Sequence, residues 1–238
     1  MTIRRRVRVP EVMDQPDLDP IEHRRALDGL ERIDLVSRST ATLWRAVHDV
    51  ATELAGRPVR VLDLACGGGP LAIGLARRAG RAGLPIEVHG CDRSRVALDH
   101  ARASAARANV STVEFHELDV IREPLPAGFD VICSSLFLHH LSEVEAVSLL
   151  ERMAGATRHT VLVSDLRRTT LGHFLAWAGC RLLSRSPVVH ADGTRSVRAA
   201  FTTAEARALA AQAGLADASL SEHWPQRFVL HWRRTGAR

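Results

Sequence analysis

The stretch Val61-Leu62-Asp63-Leu64-Ala65-Cys66-Gly67-Gly68-Gly69 decides the fold: an apolar run of strand length ends in an acid, then passes into glycines just before a helix-period segment. Glycine lets a backbone turn sharply and approach a ligand with no Cβ in the way. Outward from this stretch the chain alternates. VRVLDL (59–64), IEVHGC (86–91), VEFHEL (113–118), FDVICS (129–134) and TVLVSD (160–165) are rich in β-branched residues, as strands buried on both faces require. Between them Leu71 to Arg78, Arg95 to Arg107 and Glu143 to Met153 carry apolar residues at three- and four-residue spacing, with Arg and Glu on the other face. The alternation predicts an α/β fold with five parallel strands and crossover helices on both faces.

The two ends read differently. Thr202 or Thr203 caps a helix through about Gln212, Gly214 stops it, and Ala216 to Ser221 and Gln226 to Trp232 form an expected antiparallel pair. Before the first strand, His23 to Leu54 places Leu27, Leu30, Ile33, Val36, Leu43, Val47 and Val50 where they can face one core, which predicts a helical cap entered through a turn at Met13 to Pro20. No repeat or low-complexity tract interrupts the order. One domain over 1–238 is expected, with 1–56 an arm and helical cap and 57–238 the α/β core.

With 46% hydrophobic and 25% charged residues over 238 positions, the composition is that of a globular protein. No apolar run approaches the roughly 20 residues of a membrane helix, and MTIRRRVRVP lacks the apolar core of a secretory signal, so a cytoplasmic location without a membrane span is expected. The net charge of +5 comes from arginine alone, since lysine is absent. The arginines are scattered; only Arg4, Arg5, Arg6 and Arg8 cluster, and they read as a solvated, disordered arm, so nucleic acid is not an expected partner. Cys66, Cys91, Cys133 and Cys180 are far apart and read as buried free thiols. No carboxylate cluster suggests a metal, and either a monomer or a homodimer suits the pattern.

The glycine stretch resembles the cofactor motif of class I S-adenosylmethionine-dependent methyltransferases, a strand with Asp followed by a Gly-rich turn, with Ala65 where the family usually has its first glycine. The resemblance implies that the backbone of Ala65, Cys66, Gly67 and Gly69 packs against the methionyl part of S-adenosylmethionine and that Asp63 holds its ammonium group. Asp92, followed by Arg93 at the tip of the second strand, would accept both ribose hydroxyls. Glu117-Leu118-Asp119-Val120 resembles the adenine clamp, in which Asp119 accepts the amino group and the Val120 amide meets a ring nitrogen; the plain alternative for Asp119 is a helix cap. Phe129-Asp130-Val131-Ile132 and Leu138-His139-His140-Leu141 match the family's fourth strand and the helix start after it, with Ser134 among the expected cofactor contacts. The motifs span Val59 to Leu141, and the terminal pair fits the family's last two strands. The implied fold is a doubly wound, Rossmann-like, seven-stranded sheet. The proline-rich amine-binding tetrapeptide of nucleic-acid and protein methyltransferases is missing at Ser134-Ser135-Leu136-Phe137, which points to a small-molecule acceptor.

Two other readings remain open at this point. Gly67-x-Gly69-x-x-Ala72 also fits a dinucleotide fingerprint, with Asp92 20 residues past Ala72, so an NAD(P)-dependent oxidoreductase is the alternative enzyme. Asp63 and Asp119 argue against it. A catalytically silent cofactor-binding scaffold is the third. For a methyltransferase, ligands belong beyond the carboxyl ends of the strands, near Ser134 to His140, Asp165 to Arg168, the segment up to Thr202 and the cap. Transfer from a sulfonium depends mainly on alignment, but a hydroxyl acceptor must lose a proton, and His139 or His140 is the candidate base. The segment 166–200 reads as a helix and loop laid over the pocket, with Phe137, His140, His173, Trp177 and Arg198 as candidate acceptor contacts. The stripe Leu171, Phe174, Leu175, Trp177, Ala178, Leu182 and Leu183 either lines a cavity or packs in the core, and Arg195 and Arg198 either pair with an acidic acceptor or are solvated. The expected reaction is O-methylation of a phenolic, polyketide or lipid-like metabolite.

Overall fold

The computed structural model describes residues 2–15, 17–37 and 39–235. The chain runs α1 (Pro20–Ser37), α2 (Ser39–Glu53), β1 (Val59–Leu64), α3 (Pro70–Ala82), β2 (Ile86–Asp92), α4 (Arg95–Arg107), β3 (Val113–Glu117) and β4 (Phe129–Ser135). It continues through α5 (Glu143–Ala156), β5 (Thr157–Leu166), α6 (Thr170–Leu183), α7 (Pro187–Ala199), α8 (Thr203–Gln212), β6 (Ser219–His223) and β7 (Arg227–Arg233). The strands form one seven-stranded sheet in the order β3-β2-β1-β4-β5-β7-β6. The first five are mutually parallel, and β7 runs antiparallel to both β5 and β6.

Alternation along the strands sorts the core into two layers, because successive side chains point to opposite faces. Val61, flanked by Val88 and Val131, joins Leu43 and Val47 of α2, Leu71 and Leu75 of α3 and Leu98 of α4. Leu62 and Leu64 face the other way with Ile132, Val161 and Val163, against Leu149, Leu150 and Met153 of α5 and Leu209 of α8. Fully burying each such side chain contributes about 1.5–3 kcal/mol before the entropy of ordering it.

Polar residues at the helix starts satisfy the orphan amides there. Ser94 accepts from the Ala97 amide, and Ser142 with Glu145 and Thr202 with Glu205 form reciprocal capping boxes. Gly214, at φ +75°, follows α8 and lets the chain turn back.

The structure departs from the sequence expectations in four places. The cap is two helices, α1 and α2, and Leu30, Ile33 and Val36 border a cavity instead of joining the same core as Leu43. β5 starts at Thr157, ahead of the expected 160, and β6 starts at Ser219, beyond the expected 216. The segment after β5 is two helices; Thr169 caps α6 by accepting from the Gly172 amide and Pro187 presets the first turn of α7, so Arg195 and Arg198 lie on a helix instead of in a loop. The arginine arm is a strap, not a solvated end. Thr2 bridges to Thr169, the Val7 amide donates to the Arg198 carbonyl at 3.0 Å, and Arg6 donates to the carbonyls of Ala199, His139 and Leu141 at 2.5, 3.1 and 2.7 Å. The Arg6 guanidinium also lies 3.7 Å from the centroid of the Phe201 ring. All four cysteines are free and buried. Among the described residues, no helix is long and apolar enough to cross a membrane.

Candidate active site

The strand order reverses between β1 and β4, and the crevice beyond the carboxyl ends of these strands is where open α/β sheets take ligands. A cavity of about 1510 Å³ lies there. Its floor is the loop after β1 with the tips of β2 and β4, and the strap, α1, α6 and α7 roof it.

The loop is shaped by its backbone. Ala65, Gly67 and Gly69 have φ of +52°, +53° and +77°, and the Gly67 amide donates to Asp92 Oδ2 at 2.9 Å. Ala65, Cys66, Gly67 and Gly68 border the cavity; Gly69 does not. A Cβ on Gly69 would come within 2.9 Å of the Phe115 ring and 3.0 Å of Ala101 Cβ, so this glycine serves the close approach of the loop to β3 and α4.

Asp63 ends β1 fully buried, borders the cavity, and neither carboxylate oxygen has a hydrogen-bond partner. Burial, reinforced by the charges of Asp92 and Asp34, pushes its pKa well above the usual carboxylate range. Such a group calls for a cationic partner, and the ammonium of a bound S-adenosylmethionine has the required charge and donors. Asp92 accepts from the Gly67 and Ser94 amides at 2.9 and 2.8 Å, one on each oxygen, which leaves acceptor capacity on both facing the cavity. Asp119 also borders the cavity, and its Oδ1 accepts from the Ile121 and Arg122 amides at 3.0 and 3.3 Å, so it caps a turn while its side chain stays beside Val120 at the cleft.

At the opposite end lies a cluster of imidazoles and carboxylates. His139 is buried; its amide donates to Asp165 Oδ2 at 2.9 Å and its Nδ1 lies 2.7 Å from Asp165 Oδ1. Glu11 Oε1 stands 3.6 Å from His139 Nε2, and Glu11 Oε2 is 3.9 Å from His140 Nε2. Asp14 Oδ2 is 3.0 Å from His140 Nδ1, and Asp14 Oδ1 accepts from Arg93 at 3.3 Å, which ties the strap to the tip of β2. Burial disfavours a charged His139, yet Asp165 and Glu11 outweigh it and raise the imidazole pKa to about 10.

The structure gathers Phe137, His139, His140, Arg93 and Val120 around this cavity with the residues named above. Ser134 lies beneath it, buried in the sheet, with Oγ donating to the Leu64 carbonyl at 3.2 Å, and Ser135 reaches the cavity in its place. His173, Trp177 and Arg198 do not border the cavity. The α6 stripe splits: Leu171, Phe174 and Trp177 are exposed away from the cavity, Leu182 is exposed at its rim, and Leu175, Ala178 and Leu183 turn toward it. Arg168 is buried away from it, donating to Glu205 with both terminal nitrogens at 2.9 and 2.6 Å. Glu11, Asp14 and Gly68 were not singled out by the sequence. Glu11 and Asp14 sit in an aperiodic proline-flanked segment with no signal, while Asp165 shares with Asp63 and Asp92 the position of an acid at a strand end.

Residues 61–160 match the family described as methyltransferase domain, and the sheet order with β7 inserted antiparallel together with the loop after β1 is the Rossmann-like arrangement of class I S-adenosylmethionine-dependent methyltransferases. A dinucleotide-binding sheet continues instead with a sixth parallel strand next to β5, so the oxidoreductase reading is set aside. Among curated relatives, the ubiquinone biosynthesis O-methyltransferase of Neisseria meningitidis is 35% identical over 101 residues, covering 42% of this chain and 40% of that protein. An uncharacterized methyltransferase of Mycobacterium tuberculosis is 32% identical over 130 residues, covering 52% of this chain and 61% of that one. The chain thus matches less than two thirds of either relative's length. Magnesium protoporphyrin IX methyltransferase of Synechocystis PCC 6803, solved with bound SAH, has the same fold, with a TM-score of 0.56 at 19% identity over 82% of this chain and 83% of that one.

Proposed function

We propose that the chain methylates a hydroxyl oxygen of a small, largely apolar acceptor, of phenolic, polyketide or lipid-like type. The observation that carries this reading is one continuous cavity joining Asp63, Asp92 and Asp119 at one end to Glu11, Asp14, His139 and His140 at the other, with Asp165 behind His139. The relative from Neisseria is named an O-methyltransferase, which supports an oxygen acceptor.

When bound, S-adenosylmethionine would supply a methyl group on a sulfonium, transferred to an acceptor oxygen with the C–S pair left on sulfur. Asp63 would hold the ammonium, Asp92 the ribose, and Asp119 with Val120 the adenine. Leu30, Ile33, Leu175 and Leu183 give the acceptor an apolar roof that keeps water out. Asp165 fixes the His139 ring, whose high pKa makes it a holder of charge at neutral pH instead of a free base, and the acceptor proton leaves through the cluster toward Asp14.

Calorimetry of the purified chain with S-adenosylmethionine, S-adenosylhomocysteine, NADH and NADPH tests the donor. Binding of the first two alone, followed by transfer of labelled methyl to phenols in an acceptor screen, is the expected result. Binding of a nicotinamide alone would sink the reading.

A further inference from the structure

Resting on the reading of this cleft as a methyl-transfer site, we propose that Glu11, His139 and His140 bind one divalent first-row transition-metal ion at its acceptor end. One donor atom from each residue lies within 4.8 Å of the others. Glu11 stands 3.6 and 3.9 Å from the two Nε2 atoms, too far for direct hydrogen bonds. Metal–ligand bonds of about 2.0–2.2 Å place the donors of a tetrahedral site about 3.4 Å apart. Glu11 faces the two imidazoles through different oxygens, and the 4.8 Å limit on the three donors exceeds that edge, so a cation between the groups would meet all three once the side chains draw together.

Each ligand is also held from behind. Asp165 meets Nδ1 of His139 at 2.7 Å, Asp14 meets Nδ1 of His140 at 3.0 Å, and Ser196 Oγ donates to Glu11 Oε1 at 2.5 Å. A carboxylate behind a ligating histidine fixes its tautomer and raises its basicity, which is how proteins orient metal-binding imidazoles. Three carboxylates surround two imidazoles here, and Arg93 is paired with Asp14, so the cluster carries more acidic than basic groups and favours a dication. Two nitrogens and one carboxylate suit Zn²⁺, Mn²⁺ or Fe²⁺ better than Mg²⁺ or Ca²⁺, which take oxygen ligands.

Three protein ligands leave the ion an open position facing the cavity. An acceptor hydroxyl placed there loses its proton to water past half-exposed Asp14, and its oxygen keeps the electron pair that forms the new bond to the methyl carbon. The ion also ties the strap, which contributes Glu11, to the turn after β4. A second group, His89, Glu114 and His116, lies on the surface of β2 and β3 with His89 Nδ1 and His116 Nε2 3.2 Å apart, a distance that one hydrogen bond accounts for.

The test is calorimetric titration of the chelator-stripped chain with Zn²⁺, with S-adenosylhomocysteine binding measured on the same samples. One ion per chain is expected, weakened at least about tenfold in Glu11→Gln and in His140→Ala while both variants still bind S-adenosylhomocysteine, and unchanged in His89→Ala. Zn²⁺ binding that survives the first two substitutions, or that is lost only in His89→Ala, overturns the proposal, as does an absence of binding in a chain that takes S-adenosylhomocysteine. Failure to bind S-adenosylhomocysteine overturns the methyl-transfer reading itself, whatever the metal titration gives.

Discussion

Asp63 is placed by the sheet and costs the protein stability until a cation meets it. Its pKa is raised, chiefly by burial, so the charged form prevailing above that pKa destabilises the fold, and the penalty eases as pH falls. Asp63→Asn should therefore raise the melting temperature of the cofactor-free chain by about 2–4 °C, on the order of 1 kcal/mol, while weakening S-adenosylhomocysteine at least about tenfold by calorimetry. A lower melting temperature together with unchanged affinity would show that this carboxylate is not a binding group. Gly69→Ala acts by another route: a positive φ and a Cβ 2.9 Å from the Phe115 ring should destabilise the chain by about 1–3 kcal/mol in urea unfolding. The strand-end acids were legible because a buried strand that ends in Asp before glycines stands out against its own apolar run. Glu11 was not, since only the path of the strap brings it to His139.

At the scale of elements, the strap and the α6–α7 pair build the roof; the apolar stripe of α6 was legible, whereas the strap and the helical course of α7 escaped a periodicity reading for physical reasons. The strap has no period; it is held by donation from Arg6 to three carbonyls and by the Val12 and Met13 amides, which donate to the Asp192 carboxylate at 2.9 and 3.0 Å. Gly193 lies inside α7, where a Cβ would collide with Cys180 Sγ of α6. The glycine permits close helix packing instead of a bend. Arg6→Ala removes the three donors and the contact with Phe201 together. It should lower stability by about 2–4 kcal/mol, from roughly 1 kcal/mol per bond, and speed proteolytic cleavage within 2–15 more than cleavage elsewhere. Equal protection of the strap in the variant and the parent would refute its anchoring by Arg6.

Across the whole molecule, the α/β alternation was readable because strands buried on both faces and amphipathic helices carry different periods, whereas the charged ties across the layers follow only from the packing. Asp130, fully buried in β4, accepts from Arg57 at 2.9 and 2.6 Å and from the Arg60 amide at 3.0 Å, and Glu205 joins buried Arg168 to the start of α8. Burial alone would raise both carboxyl pKa values, but the arginines and backbone amides outweigh it and lower them. A carboxylate with a depressed folded-state pKa contributes stability that is present above its unfolded value, about 4, and lost as pH falls through the folded value. Stability by urea unfolding should therefore decline as pH drops below about 5. Asp130→Asn should be less stable at pH 7 and show a flatter decline, because it no longer takes up a proton on unfolding. A decline of unchanged slope in Asp130→Asn would shift the acid sensitivity to the other carboxylates, Glu205 first, for which Glu205→Gln is the matching measurement.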